Sequence, residues 1–335
     1  MNMNKNTRKN FETWFGTRLP IVAGGLMWLS NAEYVAAAAN AGILGFITAA
    51  SFPDDNDLRK EIRKCRDLAD GNPFGVNVSM LPKLIPGEKT EDVFKLIIEE
   101  GVKVVETSGR NPEPYLPMLK EAGVKVIHKV PAVKYAIKAQ KIGVDAVAIV
   151  GAECGGHPGM DMIGTFVNAA LALEKLNIPF LIGGGVGHGS QIIAAMAMGA
   201  AGVVIGTRFL VAEEIWAHVG YKQALIEATE CDTTLCMQSV RNTVRSLKNK
   251  TTDKVQQIEK QLEVVDIQDL LPIVSGKIGW EAYATGDVSH GILAAGNSLA
   301  FVNKIEPLSH IVASLEQEAN QALMRTKHLG SFCNE

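Results

Sequence analysis

Charge of either sign is in short supply in this 335-residue chain. It carries 33 Lys and Arg against 36 Asp and Glu, a formal net charge of −3. Such a balance gives no general attraction to a phosphate backbone or an anionic bilayer, so a small-molecule substrate is expected rather than nucleic acid or a membrane surface. Cysteine is equally sparse. The five, at 65, 154, 231, 236 and 333, form no Cys-x-x-Cys pair, and Cys231 and Cys236 have no set of metal-ligand partners. Reduced thiols in a cytoplasmic protein are expected, with no metal centre. Long apolar runs are missing too: the longest, Ile192 to Gly206, is too short for a bilayer and is broken by Gly199 and Gly202. The amino-terminal Met1 to Asn10 is polar and basic, without the apolar stretch of a signal peptide.

What is present is apolar material in regular alternation. At 47% hydrophobic and 21% charged, the chain can bury a large core. Short runs rich in branched residues predict strands near 19–23, 43–48, 74–79, 102–106, 124–128, 145–150, 179–183 and 201–206. Between them lie helix-like segments such as Ala32 to Ala41, Leu58 to Ala69, Thr90 to Glu100, Val133 to Ile142, Phe166 to Leu176 and Ser190 to Met198. Eight strand and helix repeats with fully apolar strands predict an α/β fold, the (β/α)₈ or TIM barrel. The rival is a doubly wound sheet with a dinucleotide fingerprint after strand one. The only comparable glycine-rich turn, Gly183 to Gly189, follows strand seven and has the wrong spacing.

After strand eight the pattern changes. Residues 212–269 lack strand-like alternation and are expected to form a mostly helical insertion, with residues 1–211 and 270–335 making the barrel. Its last helix is expected over His290 to Asn303, with a helical tail to about Thr326. An insertion at that end of a barrel either roofs the pocket or serves packing or dimerisation, and both readings stand. A homodimer is left open.

Chemistry is expected on loops leaving the carboxyl ends of the strands. Gly151-Ala152-Glu153-Cys154-Gly155-Gly156-His157-Pro158-Gly159 follows the sixth strand, where glycines such as Gly156 let backbone approach a flat ligand and His157 can exchange a proton near neutral pH. Gly183-Gly184-Gly185 and Gly206-Thr207-Arg208 follow strands seven and eight, the usual pair of phosphate-holding loops, with Arg208 a source of added charge. Asn77 and Lys129 sit at strand ends facing the mouth, and Lys129 either pairs with Glu106 or Glu153 or stabilises negative charge on a reduced flavin. His128 should point away from the mouth as a packed histidine. Cys154 reads as a small pocket-lining residue before a reactive thiolate, and His188 as a solvent-facing or capping residue before a catalytic one.

These segments, with Gly24-Gly25-Leu26-Met27-Trp28, resemble the nitronate monooxygenase family, formerly 2-nitropropane dioxygenases, over about Leu19 to Gly296. The resemblance implies an FMN-dependent (β/α)₈ barrel. It places Gly24, Gly25, Leu26 and Met27 against the flavin, Asn77 and Lys129 on the isoalloxazine, Gly184, Gly185, Gly206 and Thr207 on the phosphate, and His157 as active-site base. Trp28 and Tyr283 are expected as pocket walls. Arg241-Asn242-Thr243, Gly286-Asp287, Gly291-Ile292 and Gly296 are most similar to a branch of NADH:quinone reductases. Val150 stands where that branch typically has Asp, and Leu26 replaces a frequent methionine.

The implied activity is oxidation of alkyl nitronates with O₂ to a carbonyl compound and nitrite. NAD(P)H:quinone reduction is the alternative, with NADH or NADPH as donor. Flavin-dependent enoyl-thioester reduction ranks third, and a nonenzymatic flavin sensor lies outside these.

Overall fold

The computed structural model describes residues 13–80 and 89–326, so Met1 to Asn10 and Cys333 lie outside the described residues. Eight strands run in chain order around a closed barrel: β1 (Ile21–Ala23), β2 (Leu44–Thr48), β3 (Gly75–Met80), β4 (Val104–Gly109), β5 (Lys125–Val130), β6 (Ala146–Val150), β7 (Phe180–Gly183) and β8 (Gly202–Ile205). All neighbours pair in parallel, and β8 closes on β1 with Ile21 opposite Val203. A strand such as Ala146-Val147-Ala148-Ile149 is apolar throughout because one face fills the barrel and the other meets helices.

Alternation sorts the side chains. Val22, Phe46, Val104, Ile127, Ala148 and Leu181 fill the barrel interior, while a larger apolar layer lies between the strands and the outer helices. Gly75 makes room for that filling, since a methyl group there would sit 2.4 Å from the Phe46 ring. The helices are α1 (Ala32–Asn40), α2 (Asp55–Leu68), α3 (Thr90–Glu99), α4 (Leu116–Glu121), α5 (Val133–Ile142), α6 (Thr165–Lys175) and α7 (Gly189–Ala197). Asn31 and Asp54 accept backbone N–H bonds at the starts of α1 and α2, satisfying donors the helices leave open.

Beyond β8 one expectation is refined and one corrected. The mostly helical insertion, with α8 (Val219–Glu227), α9 (Lys250–Gln261) and the start of α10 (Ile267–Val274), also holds an antiparallel hairpin, β9 (Thr233–Cys236) and β10 (Val244–Leu247), and α11 (Gly276–Thr285) follows it. Each strand is four residues, too short for alternation to register, and a separate core of Cys236, Met237, Val244, Val255 and Leu270 holds it. Helix α10 runs through the expected edge at residues 269 and 270. The stretch from His290 to Asn303 is not a helix. Only a 3₁₀ turn at Asn297–Phe301 forms, because Gly296 runs so close to the sixth loop that a methyl group there would meet the Glu153 carbonyl oxygen at 2.4 Å. The eighth outer helix is α12 (Leu308–Thr326), against which Gly189 of α7 packs. No described helix is long and apolar enough to cross a membrane.

Candidate active site

The carboxyl ends of the strands open into one cavity of about 1140 Å³. Its first wall is the loop after β1. Thr48 Oγ1 donates to the Leu26 carbonyl at 3.2 Å, while Ser30 Oγ accepts from the Leu26 N–H and Ser51 Oγ from the Trp28 N–H, each at 2.8 Å. Trp28 is held at φ +68, a left-handed conformation uncommon outside glycine. Gly25 passes so near β3 that a methyl group would lie 2.7 Å from Asn77 Cβ. That closeness leaves no room for a side chain at Gly25 beside β3.

The floor is polar. Asn77 Nδ2 donates to Glu106 Oε2 at 2.5 Å, and Lys129 Nζ reaches the same oxygen at 3.0 Å. Glu106 is fully buried, and its Oε1 has no hydrogen-bond partner. One carboxylate therefore holds both groups that face the mouth and keeps an open acceptor beneath it. Lys129 sits within β5 rather than at its end, and alternation turns its neighbour His128 outward, where its Nδ1 lies 2.9 Å from Thr107 Oγ1. Burial pulls the His128 pKa down to about 4, so it is a neutral packed residue.

Across the mouth, Gly184 and Gly185 take φ +96 and +74 after β7, and a side chain on Gly184 would strike the Gly151 backbone at 2.9 Å. Two successive left-handed glycines turn backbone amides toward one point, the shape that holds an anion. Gly206 and Thr207 face them after β8, and Thr207 Oγ1 accepts from the Gly296 N–H at 2.9 Å, which leaves its own hydrogen free to donate. Arg208 does not join them. It is buried away from the cavity toward Glu306 and Glu318, and its Nε has no partner, so the expected added charge is absent from this loop.

His157 stands above the floor. The insertion clamps its loop: Gly156 and Arg245 exchange backbone hydrogen bonds at 3.0 and 2.7 Å, and Arg245 Nε donates to the Ala152 carbonyl at 3.1 Å. From below, Glu153 accepts from the Thr165 N–H and hydroxyl at 3.0 and 2.8 Å. The imidazole is exposed to the open cavity, with the protein walls of the mouth close around it. Burial holds its pKa below the ordinary value and Lys129 acts in the same direction, while a hydrogen bond with Asn242 opposes them. Its resting state near neutral pH is therefore the uncharged base. Burial also pushes the Cys154 thiol up to about 12, so it lines the pocket as a thiol.

Gly24, Gly25, Leu26, Met27, Trp28, Asn77, Lys129, Gly156, His157, Gly184, Gly185, Gly206, Thr207 and Tyr283 thus all border one cavity. His188 does not. It caps α7, its Nδ1 accepting from the Ser190 N–H, and lies 3.6 Å from Glu318. Val150 lines the cavity with an apolar wall. Of the two carboxylates the sequence offered to Lys129, Glu106 is the one it meets, and what the sequence did not show is that the same oxygen also anchors Asn77 or that Asn242 lies beside His157.

A closed parallel barrel with paired glycine loops after strands seven and eight is the arrangement that holds a phosphate-bearing cofactor or substrate. Residues 8–318 match the family model for nitronate monooxygenase, and the chain belongs to that family of flavin-dependent oxidoreductases. A probable nitronate monooxygenase of Staphylococcus saprophyticus is 28% identical over 92% of this chain and 96% of its own. A 5-hydroxy-7a-methyl-1-oxo-octahydro-1H-indene-4-carboxyl-CoA dehydrogenase of Rhodococcus jostii is 34% identical over 66% of this chain and 60% of its own. The structure of FabK from Thermotoga maritima superposes with a TM-score of 0.87 at 30% identity, covering 96% of this chain and 98% of that one.

Proposed function

We propose that the protein oxidises alkyl nitronates and their parent nitroalkanes with bound FMN. The observation that carries the reading is His157: an uncharged imidazole facing the cavity, opposite the Asn77, Glu106 and Lys129 floor. FMN fits the residues present. Gly184, Gly185, Gly206 and Thr207 suit its phosphate, Gly24 to Met27 and Gly156 admit a flat ring, and Asn77 and Lys129 stand beneath that ring. When bound, the flavin supplies electron transfer from the organic substrate to oxygen. The chain's own residues bind, orient and move one proton. His157 removes the α proton of a neutral nitroalkane, and Lys129 offers positive charge where negative charge gathers.

His157→Asn tests this. The variant should retain flavin yet lose turnover of neutral nitroalkanes by about 2 to 4 orders of magnitude, with preformed nitronates much less affected. Undiminished nitroalkane turnover would remove His157 from the mechanism. Because the imidazole pKa is lowered, the wild-type rate with neutral nitroalkanes should rise with pH and level off below the ordinary histidine value of about 6.5.

A second reading is favoured by cavity size. At about 1140 Å³ the space exceeds the roughly 300–1,000 Å³ of a single-ligand pocket, more than FMN and a small nitronate need. Reduction of an enoyl thioester or a quinone by NADH or NADPH would use the remainder, and the Rhodococcus relative is named for a CoA ester. Anaerobic titration with NADH separates the two. Flavin that ignores NADH supports nitronate oxidation, and rapid bleaching supports reduction.

A further inference from the structure

The cavity does not end at the mouth. From the glycine loops after β7 and β8 it passes over Lys129 and Pro131 and continues along α5, which packs beside β5 and β6, where Asn111, Tyr135, Lys138, Ala139 and Ile142 border it. None of these residues is needed by a flavin seated on the phosphate loops or by the His157 chemistry. The lining of this arm has a distinct character. Tyr135 leaves 39% of its surface exposed, and lysines flank its ring, Lys134 Nζ 5.0 Å and Lys138 Nζ 5.9 Å from the centroid. Lys134 is already neutralised by Asp161 at 2.6 Å, whereas among the described residues no carboxylate lies within ion-pair distance of Lys138. At 5.9 Å the Lys138 contact is at the outer limit of a cation–π interaction, so its ammonium can turn to an anion at little cost.

We propose that this outer arm binds the adenosine phosphate end of an elongated second reactant. The base lies against the Tyr135 ring over the apolar Ala139 and Ile142, and a phosphate pairs with Lys138. An exposed aromatic beside an unpaired cation and a small apolar floor matches a flat, π-rich base carrying negative charge better than it matches a plain acyl chain, which would leave Lys138 idle. The inference rests on the reading that something larger than a nitronate enters beside the flavin. Two sources share this chemistry, the adenosine half of a nicotinamide dinucleotide and that of coenzyme A.

The test begins with ADP as probe and FMN-loaded protein, read by calorimetry so that no turnover is required. Wild type should bind ADP with a Kd below about 1 mM, and Lys138→Glu and Tyr135→Ser should each weaken it about 10- to 100-fold. Lys138 is exposed, so its substitution does not threaten folding. Two kinetic arms then identify the source. If the dinucleotide uses the arm, the KM advantage of NADH over reduced nicotinamide mononucleotide collapses in Lys138→Glu. If coenzyme A uses it, the advantage of crotonyl-CoA over crotonyl-pantetheine collapses instead. Absence of ADP binding to wild type, or equal binding by wild type and both variants, overturns the subsite. Because calorimetry needs no reaction, a protein inert toward nitronates and thioesters still tests the site. One that bleaches with NADH yet ignores ADP refutes the site alone.

Discussion

Two buried glutamates, Glu100 and Glu106, lie six residues apart in the chain and have opposite fates. Glu100 sits just beyond α3 and is saturated: Arg59 reaches Oε1 at 2.6 Å, Arg63 binds both oxygens at 2.9 and 3.0 Å, and Arg66 adds a contact at 3.6 Å. The arginines, 30%, 60% and 45% exposed, leave the cluster open to solvent on one side. Glu106 is sealed in the barrel with Asn77 and Lys129 on one oxygen and nothing on the other. A saturated acid in the helix layer locks two elements together. An acid left half satisfied at the floor of a cavity is there for what it positions, since a buried polar atom without a partner costs stability that folding alone does not recover.

The sharpest way to break this comparison is Glu106→Ala, which strands Lys129 and Asn77. Removing one partner of a fully buried pair costs about 3–5 kcal/mol; Lys129 keeps 22% exposure, so about 2–3 kcal/mol of lost urea stability is expected. Next comes the double replacement Glu106→Gln with Lys129→Met, which removes both charges at similar volume. It should recover most of that stability and still fail to restore flavin-dependent turnover, and full recovery of both would make the floor merely structural.

The acid limb of stability distinguishes Glu100. Its arginines, Arg63 first, hold its pKa near 2, against an ordinary carboxylate value of 4.5. A depressed pKa adds stability that is present above the ordinary value and is lost as pH falls toward 2. In urea melts, Glu100→Gln should therefore be weaker than wild type at pH 5, with the gap closing toward pH 2. The effect is moderated by solvent around the arginines. The smallest expected change is Gly156→Ala. The residue has φ +81, but a methyl group there meets no atom within 4 Å, so only the conformational penalty of about 1 kcal/mol applies.

Much of the fold was legible because a parallel barrel writes itself as repeated apolar runs. All eight strands fall within a few residues of their predicted places, and along β5 Lys129 reaches the buried Glu106 while His128 turns to Thr107, although it still borders the cavity. The hairpin at 233–247 was not legible, since two four-residue strands carry too little periodicity and owe their form to the Cys236 and Val244 core and to the bridge between Gly156 and Arg245. The false helix at 290–303 had apolar spacing, but Gly291 at φ +90 and Gly296 against Glu153 prevent it. Arg208 beside a phosphate-type loop looked like a ligand. Its side chain turns toward Glu306 and Glu318 because the 3₁₀ turn at Thr207–Phe209 points it into the protein.

By itself the sequence determined the barrel, the four loop segments that meet at its mouth, and the residue types able to hold a flavin, because strand period and glycine placement are local properties. Only the tertiary structure decided which carboxylate Lys129 would meet, which residue would hold His157, and how far the cavity runs beyond the flavin loops. Glu106 comes from the neighbouring strand, Asn242 from an insertion far along the chain, and the arm along α5 from the packing of that helix against β5 and β6. Each depends on contacts between segments distant in sequence, for which no local pattern exists to be read.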